Sequence, residues 1–305
     1  MKQGIQHNMK QGVQRVLHSL GYEIHRIGSS PREDFDGKGG GWIGDPPALN
    51  PIWPLPRCSG GLSNHQILEE FSKYDLWHYA YAFEGALSFS ARHNDPGLLA
   101  DAPERPLQRF RHFMPYLVAS NNGSLRGKRV LDIGCNSGFW SMQCALLGAE
   151  VVGFDGREEL IKQANLIKSI VGVDKVEFRL LDFWDMSPQR LGGTFDVVLN
   201  LGILYHLTDP IKALQLTKSM ARQYILLDTD VDPSKESVIK LRWEEPTDIR
   251  NAVSSGIVAY PSKGSIDLML RHIGFAKWFE IPLRSTDMPA DYLDNLRASW
   301  LIKVA

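Results

Sequence analysis

The sequence is poor in cysteine, in net charge and in long apolar runs, and each shortage excludes something. Its three cysteines, Cys58, Cys135 and Cys144, form no CxxC pair and cannot all bond one another. A disulfide scaffold is therefore excluded, and reduced thiols in the cytoplasm are expected. Thirty-four Lys and Arg stand against 35 Asp and Glu, for a formal net charge of -1. The basic excess usual for a nucleic-acid binder is missing. No stretch approaches the roughly 20 apolar residues of a membrane span. The first residues, MKQGIQHNMKQGVQRVL, hold no apolar run of signal-peptide length. The nine histidines show no HExxH or HxH spacing, so no metal site is expected.

What remains is an ordinary globular composition, 43% hydrophobic and 23% charged over 305 residues. Residues 9–20 read as a short amphipathic helix with Val13, Val16, Leu17 and Leu20 on one face. Residues 28–61 are dense in Gly and Pro, which is loop chemistry. Trp42 and Trp53 argue that this arm docks on something, because disordered segments are aromatic-poor. A lid that orders when ligands bind is the expected use of so long a loop. Residues 63–124 form a helical accessory or lid segment: Ser63 or Asn64 caps a helix through Phe83, and a second helix starts at Glu104. From residue 125 to 305 the pattern is α/β. Strands at Val130–Ile133, Glu150–Phe154, Val176–Leu181, Phe195–Asn200 and Tyr224–Asp228 alternate with amphipathic helices. Ala276–Ile281 and Ala298–Val304 read as two closing strands. This rhythm predicts a doubly wound, mostly parallel seven-stranded sheet with helices on both faces, interrupted by an insertion at 231–262.

The segment VLDIGCNSGFWS, residues 130–141, carries the chemistry. A strand ends at Asp132-Ile133, a tight turn holds Gly134 and Gly138, and a helix follows. Glycine permits positive φ and close approach of a ligand to the backbone. Asn136, between the two, is the non-glycine residue most tolerant of left-handed geometry. A nicotinamide site would instead prefer GxGxxG. Asp155 closes the next strand, where a carboxylate accepts hydrogen bonds from a ribose diol. Asp182 closes the one after, with Phe183 beside it to pack an adenine ring. Ligands of parallel α/β sheets sit beyond these carboxyl ends.

VLDIGCNSGFWS, GFD, LLDF and FDVVLNLGILYHL resemble, in order, the motifs of the class I S-adenosylmethionine-dependent methyltransferases. The resemblance covers about residues 125–230. The pairing of GCNSGFWS with GILYHL is most similar to the branch that includes the tRNA wobble-uridine modifying enzymes. It implies S-adenosylmethionine as cofactor. Asp132, Gly134, Cys135, Asn136, Gly138, Phe139 and Trp140 would surround its methionine end, and Asp155 and Gly156 its ribose. Asp182 and Phe183 would hold its adenine. Asn200, Leu201, Gly202 and Tyr205 would close the site at the fourth strand.

Candidates outside the cofactor motifs are fewer. His206 follows that strand, and histidine is the residue type best suited to proton transfer near neutral pH; it is a candidate base or else a packing residue. Trp77 and Tyr81, from an aromatic run that also holds His78 and Tyr79, and Glu245, from the acidic pair Glu244-Glu245, are candidate substrate contacts. Arg105, Arg109 and Arg111 sit at partly helical spacing, and a solvated helix face is the expectation for them. The balanced charge favours a small-molecule acceptor, such as a secondary metabolite or sugar, over nucleic acid. O-methylation is the expected reaction. A tRNA-modifying methyltransferase, or a cofactor-binding protein that transfers nothing, are the alternatives.

Overall fold

Apolar runs rich in Val, Ile and Leu between residues 129 and 230 supply most of one buried sheet, the residue types that suit a strand covered on both faces. The computed structural model describes residues 43–92, 104–245, 251, 253 and 256–305. The helix expected at 9–20, Trp42 and the start of the arm lie outside the described residues.

Ser63 caps α1 (Asn64–Ser72). Its hydroxyl accepts the Gln66 N–H at 3.3 Å, and the Gln66 side chain accepts the Ser63 N–H at 2.9 Å, a capping box. The helix expected to continue through Phe83 stops at Ser72. Beyond it Trp77, Tyr79, Tyr81 and Phe83 are all buried, which is the two-residue period of an extended chain. Aromatics suit that pleated surface better than a helix. β1 (Tyr81–Phe83) pairs antiparallel with β2 (Leu87–Phe89).

In chain order there follow α2 (Arg105–Ser120), β3 (Arg129–Ile133), α3 (Phe139–Leu146), β4 (Glu150–Asp155), α4 (Glu158–Val171), β5 (Val176–Leu180), α5 (Pro188–Leu191), β6 (Phe195–Leu201), α6 (Pro210–Met220) and β7 (Ala221–Asp230). The insertion contains an antiparallel ribbon, β8 (Ile239–Trp243) and β9 (Ile257–Pro261). The chain closes with α7 (Lys263–Ile273), β10 (Lys277–Glu280), α8 (Ala290–Leu293) and β11 (Arg297–Lys303).

The main sheet has seven strands in the order β10-β11-β7-β6-β3-β4-β5. β3 to β7 are parallel; β11 runs against both its neighbours. From β3 the chain winds outward through β4 and β5, then returns to β6 and β7 on the other side. The winding reverses between β3 and β6, and that switch point opens a crevice at their carboxyl ends. Phe110, Phe113 and Leu117 of α2, with Phe139, Met142 and Ile167, fill one face. Leu214, Ile266, Leu270 and Trp300 fill the other. Each such fully buried side chain contributes about 1.5–3 kcal/mol.

The described part of the arm is docked on the body. The Ile52 backbone exchanges two hydrogen bonds with the Gln143 side chain, at 2.9 and 3.0 Å. Trp53 packs on Phe139, and Cys58 N–H donates to Ile170 O at 2.9 Å. Residues 43–61 thus run against the body. Among the described residues no helix is long and apolar enough to cross a membrane.

Candidate active site

The turn after β3 takes the expected left-handed geometry. Gly134, Asn136 and Gly138 have φ of 61°, 51° and 86°. A Cβ on Gly134 would lie 2.2 Å from Ile203 Cδ1, and one on Gly138 2.8 Å from Phe178 Cζ. The turn therefore requires glycine for both conformation and space. Asp155, at the end of β4, accepts the Asn136 N–H at 3.1 Å with one oxygen and the Arg157 N–H at 3.0 Å with the other. Burial raises its carboxyl pKa, against the pull of those two N–H groups. Asp182 accepts the Trp184 N–H at 2.9 Å with Oδ1; its other oxygen carries no hydrogen bond among the described residues. Two carboxylates thus stand at the ends of neighbouring strands, with the glycine turn attached to one of them.

Other expected residues have partners within the fold. Asp132 is 1% exposed and accepts the Ser141 hydroxyl at 2.6 Å, tying β3 to α3. Burial pushes its carboxyl up to about 7. Cys135, Phe139 and Trp140 are buried beneath the turn. Phe183 is buried too, its ring edge-on to Trp184 at 5.1 Å. The Asn200 amide donates to Thr217 Oγ1 of α6 at 3.3 Å, on the sheet face opposite Leu201. Trp77 stacks on Phe71 at 4.2 Å and donates its indole N–H to Phe71 O. Tyr81 donates its hydroxyl to Ser137 O at 2.8 Å, bracing the glycine turn from behind. Gly156 lies under the insertion: a Cβ there would meet Val253 Cγ2 at 2.8 Å. The Arg157 guanidinium donates to Asn251 O at 3.1 Å, so the insertion reaches over the end of β4.

At the rim past β6, Tyr205 and His206 sit in a short 3-10 turn, Leu204–His206. His206 Nδ1 lies 2.6 Å from Glu244 Oε2. The Tyr260 hydroxyl donates to Glu244 Oε1 at 3.1 Å. The acid that reaches His206 is Glu244; Glu245, the candidate substrate contact, is exposed and takes the Asn251 amide on its backbone oxygen at 2.9 Å. Glu244 and His206 meet across 38 positions, which no local pattern within 231–262 records.

The sequence reading also missed a buried polar cluster at the ends of β7 and β11. Asp228 accepts from Arg109 at 2.6 Å, from Arg297 at 2.7 Å, from the Ser299 hydroxyl at 2.7 Å and from the Tyr292 hydroxyl. Burial alone would push the Asp228 carboxyl up, but Arg109 and Arg297 beside it hold it well below the usual carboxylate range. Arg109 is therefore not on a solvated helix face: it is 4% exposed. Arg105 pairs with Asp291, and only the half-exposed Arg111 keeps to the surface. Arg297 also sits against the rim, its guanidinium 5.7 Å from the Tyr205 ring centre. Gly202, at φ 88°, leaves room for it: a Cβ there would fall 2.9 Å from Arg297 Nη2. The acid within the apolar run ILLDTD was the available signal for this cluster, since a lone buried charge needs partners.

A doubly wound sheet of this order, with β11 reversed and a left-handed glycine turn after β3, is the class I methyltransferase fold. The N-terminal domain of EvdMO1 with S-adenosylhomocysteine (SAH) bound superposes with a TM-score of 0.64 at 22% identity, covering 82% of this chain and all of that one. Residues 124–259 match the family model described as "Methyltransferase domain". The tRNA U34 carboxymethyltransferase of Alteromonas mediterranea is 28% identical over 193 residues, 60% of this chain and 54% of that protein. The ubiquinone biosynthesis O-methyltransferase of Bordetella parapertussis is 32% identical over 135 residues, 44% of this chain and 54% of that protein. The chain thus spans about half the length of these curated relatives.

Proposed function

We propose that this protein is an S-adenosylmethionine-dependent methyltransferase that methylates a hydroxyl of a small molecule, a secondary metabolite or sugar. One observation carries the cofactor: the Asp155 carboxylate is bonded to the left-handed turn at Asn136, at the crevice where the winding reverses. Carboxylates and bare backbone are the donor set that a nucleoside with a charged amino-acid tail requires. Asp155 would take the ribose diol, the open oxygen of Asp182 the adenine amine, and the backbone of 134–138 the methionine end. Cys135, Phe139, Trp140 and Phe183 would shape that pocket from below. Gly156, Leu201, Gly202 and Tyr205 would contribute its rim. When bound, the cofactor supplies a methyl group activated by a sulfonium.

The residues of this chain supply alignment and proton transfer. Holding donor and acceptor in line is worth on the order of 7–11 kcal/mol. A hydroxyl, unlike a neutral amine, gains from a base, by roughly 10²–10⁴-fold. His206 would be that base, because its Nε2 has no hydrogen-bond partner among the described residues while Nδ1 is held. The O-methyltransferase name of one relative supports a hydroxyl acceptor. The neighbour crystallised with SAH and D-fucose supports a sugar-like one. A second reading, methylation or carboxymethylation of tRNA, is favoured by the relative matched over 193 residues.

A turnover assay decides between them. Purified protein, S-adenosylmethionine and a panel of hydroxylated small molecules are expected to release SAH; bulk tRNA is not. Release with tRNA alone would replace the small-molecule reading, and no release with any acceptor would leave a binding protein.

A further inference from the structure

In the ribbon β8–β9 only β9 reaches the core, through Val258 and Ala259. All five residues of β8 are exposed, Leu241 and Trp243 among the most exposed apolar side chains of the molecule. The ribbon also packs against the turn that carries His206, and there it places two polar side chains. Glu244 directly follows β8 and is held in register by its N–H on Gly256 O at 2.7 Å. Tyr260 lies in β9, opposite Lys240.

We propose that Glu244 is the positioning residue for His206, anchored by Tyr260, so that the inserted ribbon completes the proton-accepting group. The inference rests on the reading of His206 as base. Each Glu244 oxygen has one partner, His206 Nδ1 at 2.6 Å and the Tyr260 hydroxyl at 3.1 Å, so the carboxylate cannot swing. A carboxylate only accepts, so Nδ1 must carry the hydrogen. Nε2 then holds the lone pair. The Tyr205 ring packs 4.0 Å from the imidazole and 5.4 Å from Tyr260, fixing the plane of the histidine. The His206 and Glu244 side chains are each 12% exposed, shielded but not sealed.

In the step this serves, the acceptor hydroxyl gives its proton to Nε2 as its oxygen bonds to the methyl carbon. The carbon–sulfur bond breaks with its electron pair left on sulfur. The imidazolium, paired with Glu244, later returns the proton to water. Other charges facing the pair are Arg242 over the Tyr260 ring, and Asp230 and Arg297 beside Tyr205.

The tautomer is directly measurable. Nitrogen-15 NMR of the wild-type protein is expected to show His206 protonated at Nδ1 with Nε2 bare. In Glu244→Gln the amide can donate to Nδ1, and the hydrogen is expected to move to Nε2. A wild-type ring protonated at Nε2, or an unchanged ring in E244Q, overturns the proposal. In the SAH-release assay E244Q is expected to lose turnover roughly 10²-fold or more, with SAH affinity by calorimetry unchanged. Glu244→Asp, which keeps the carboxylate but not the shape, is expected to retain more activity than the isosteric Gln. A mere packing role predicts the opposite order and would end the proposal. If His206→Ala falls while E244Q does not, Glu244 is not needed and the base stands. If His206→Ala turns over normally, the reading of His206 itself fails.

Discussion

Asp132 and Asp155 both lie at the ends of adjacent strands, yet they face different surroundings and predict different experiments. Asp155 touches the turn and retains lone pairs toward the crevice. Removing a charged partner from buried hydroxyls costs about 1.5–3 kcal/mol, so calorimetry on Asp155→Ala is expected to show SAH bound tenfold or more weakly. Unchanged affinity in the folded variant would remove Asp155 from the site. Asp132 faces Ser141 and no cation. Its carboxyl is raised to about 7 from 3.8 by burial, so the fold favours the protonated form. That contribution is complete below the unfolded pKa and is lost as pH rises through the folded value. Asp132→Asn keeps an acceptor for Ser141 and cannot ionise. Its Tm, relative to wild type, is expected to climb between about pH 4 and pH 7 and then level off, since only the wild type loses the stability of its retained proton there. A gap independent of pH would mean Asp132 carries no such strain. Both acids were legible in the sequence as strand-end carboxylates. Their different partners were not, because a carboxylate's neighbours come from other elements.

At the scale of elements, the sheet strands and the glycine turn followed from local pattern. The boundaries at 129–133, 150–155 and 195–201 fall within a residue or two of expectation, since buried parallel strands leave unbroken apolar runs. Gly138 is required twice over, by φ 86° and by Phe178. Gly138→Ala is expected to cost about 1–3 kcal/mol for the left-handed conformation alone, more with the clash, read as a lower denaturation midpoint. Where pattern misled, tertiary contact had overridden it. The residues after Ser72 keep helical spacing on paper, but their aromatics pack inward as an extended strip. Arg109 sits at a surface-like spacing, but α2 meets β7 where Asp228 waits. Asp228→Asn would leave Arg109 and Arg297 facing a neutral group, and breaking a buried pair costs about 3–5 kcal/mol. Thermal unfolding at neutral pH is the check; a loss below about 1 kcal/mol would show that the cluster is weakly coupled to the fold.

For the whole molecule, the balance of charge bears on the acceptor. A net charge of -1 leaves no general attraction for a polyanion, and Arg105 and Arg109, at partly helical spacing, pair with carboxylates. Binding through several phosphates collapses as salt rises. A gel shift with bulk tRNA is expected to show no submicromolar, salt-sensitive complex. Such a complex would move the protein toward its tRNA-modifying relatives.

Composition and period alone determined that this chain builds a doubly wound sheet with its ligand crevice past residue 133. The apolar runs and the left-handed turn are local properties, written in consecutive residues. Which acid serves His206, where Arg109 spends its charge and why Tyr81 is a tyrosine were decided only by tertiary structure. His206 meets Glu244 across 38 positions, Arg109 meets Asp228 across 119 and Tyr81 meets Ser137 across 56. Hydrogen bonds act over about 3 Å of space, and no period in the chain records which distant residues folding will bring that close.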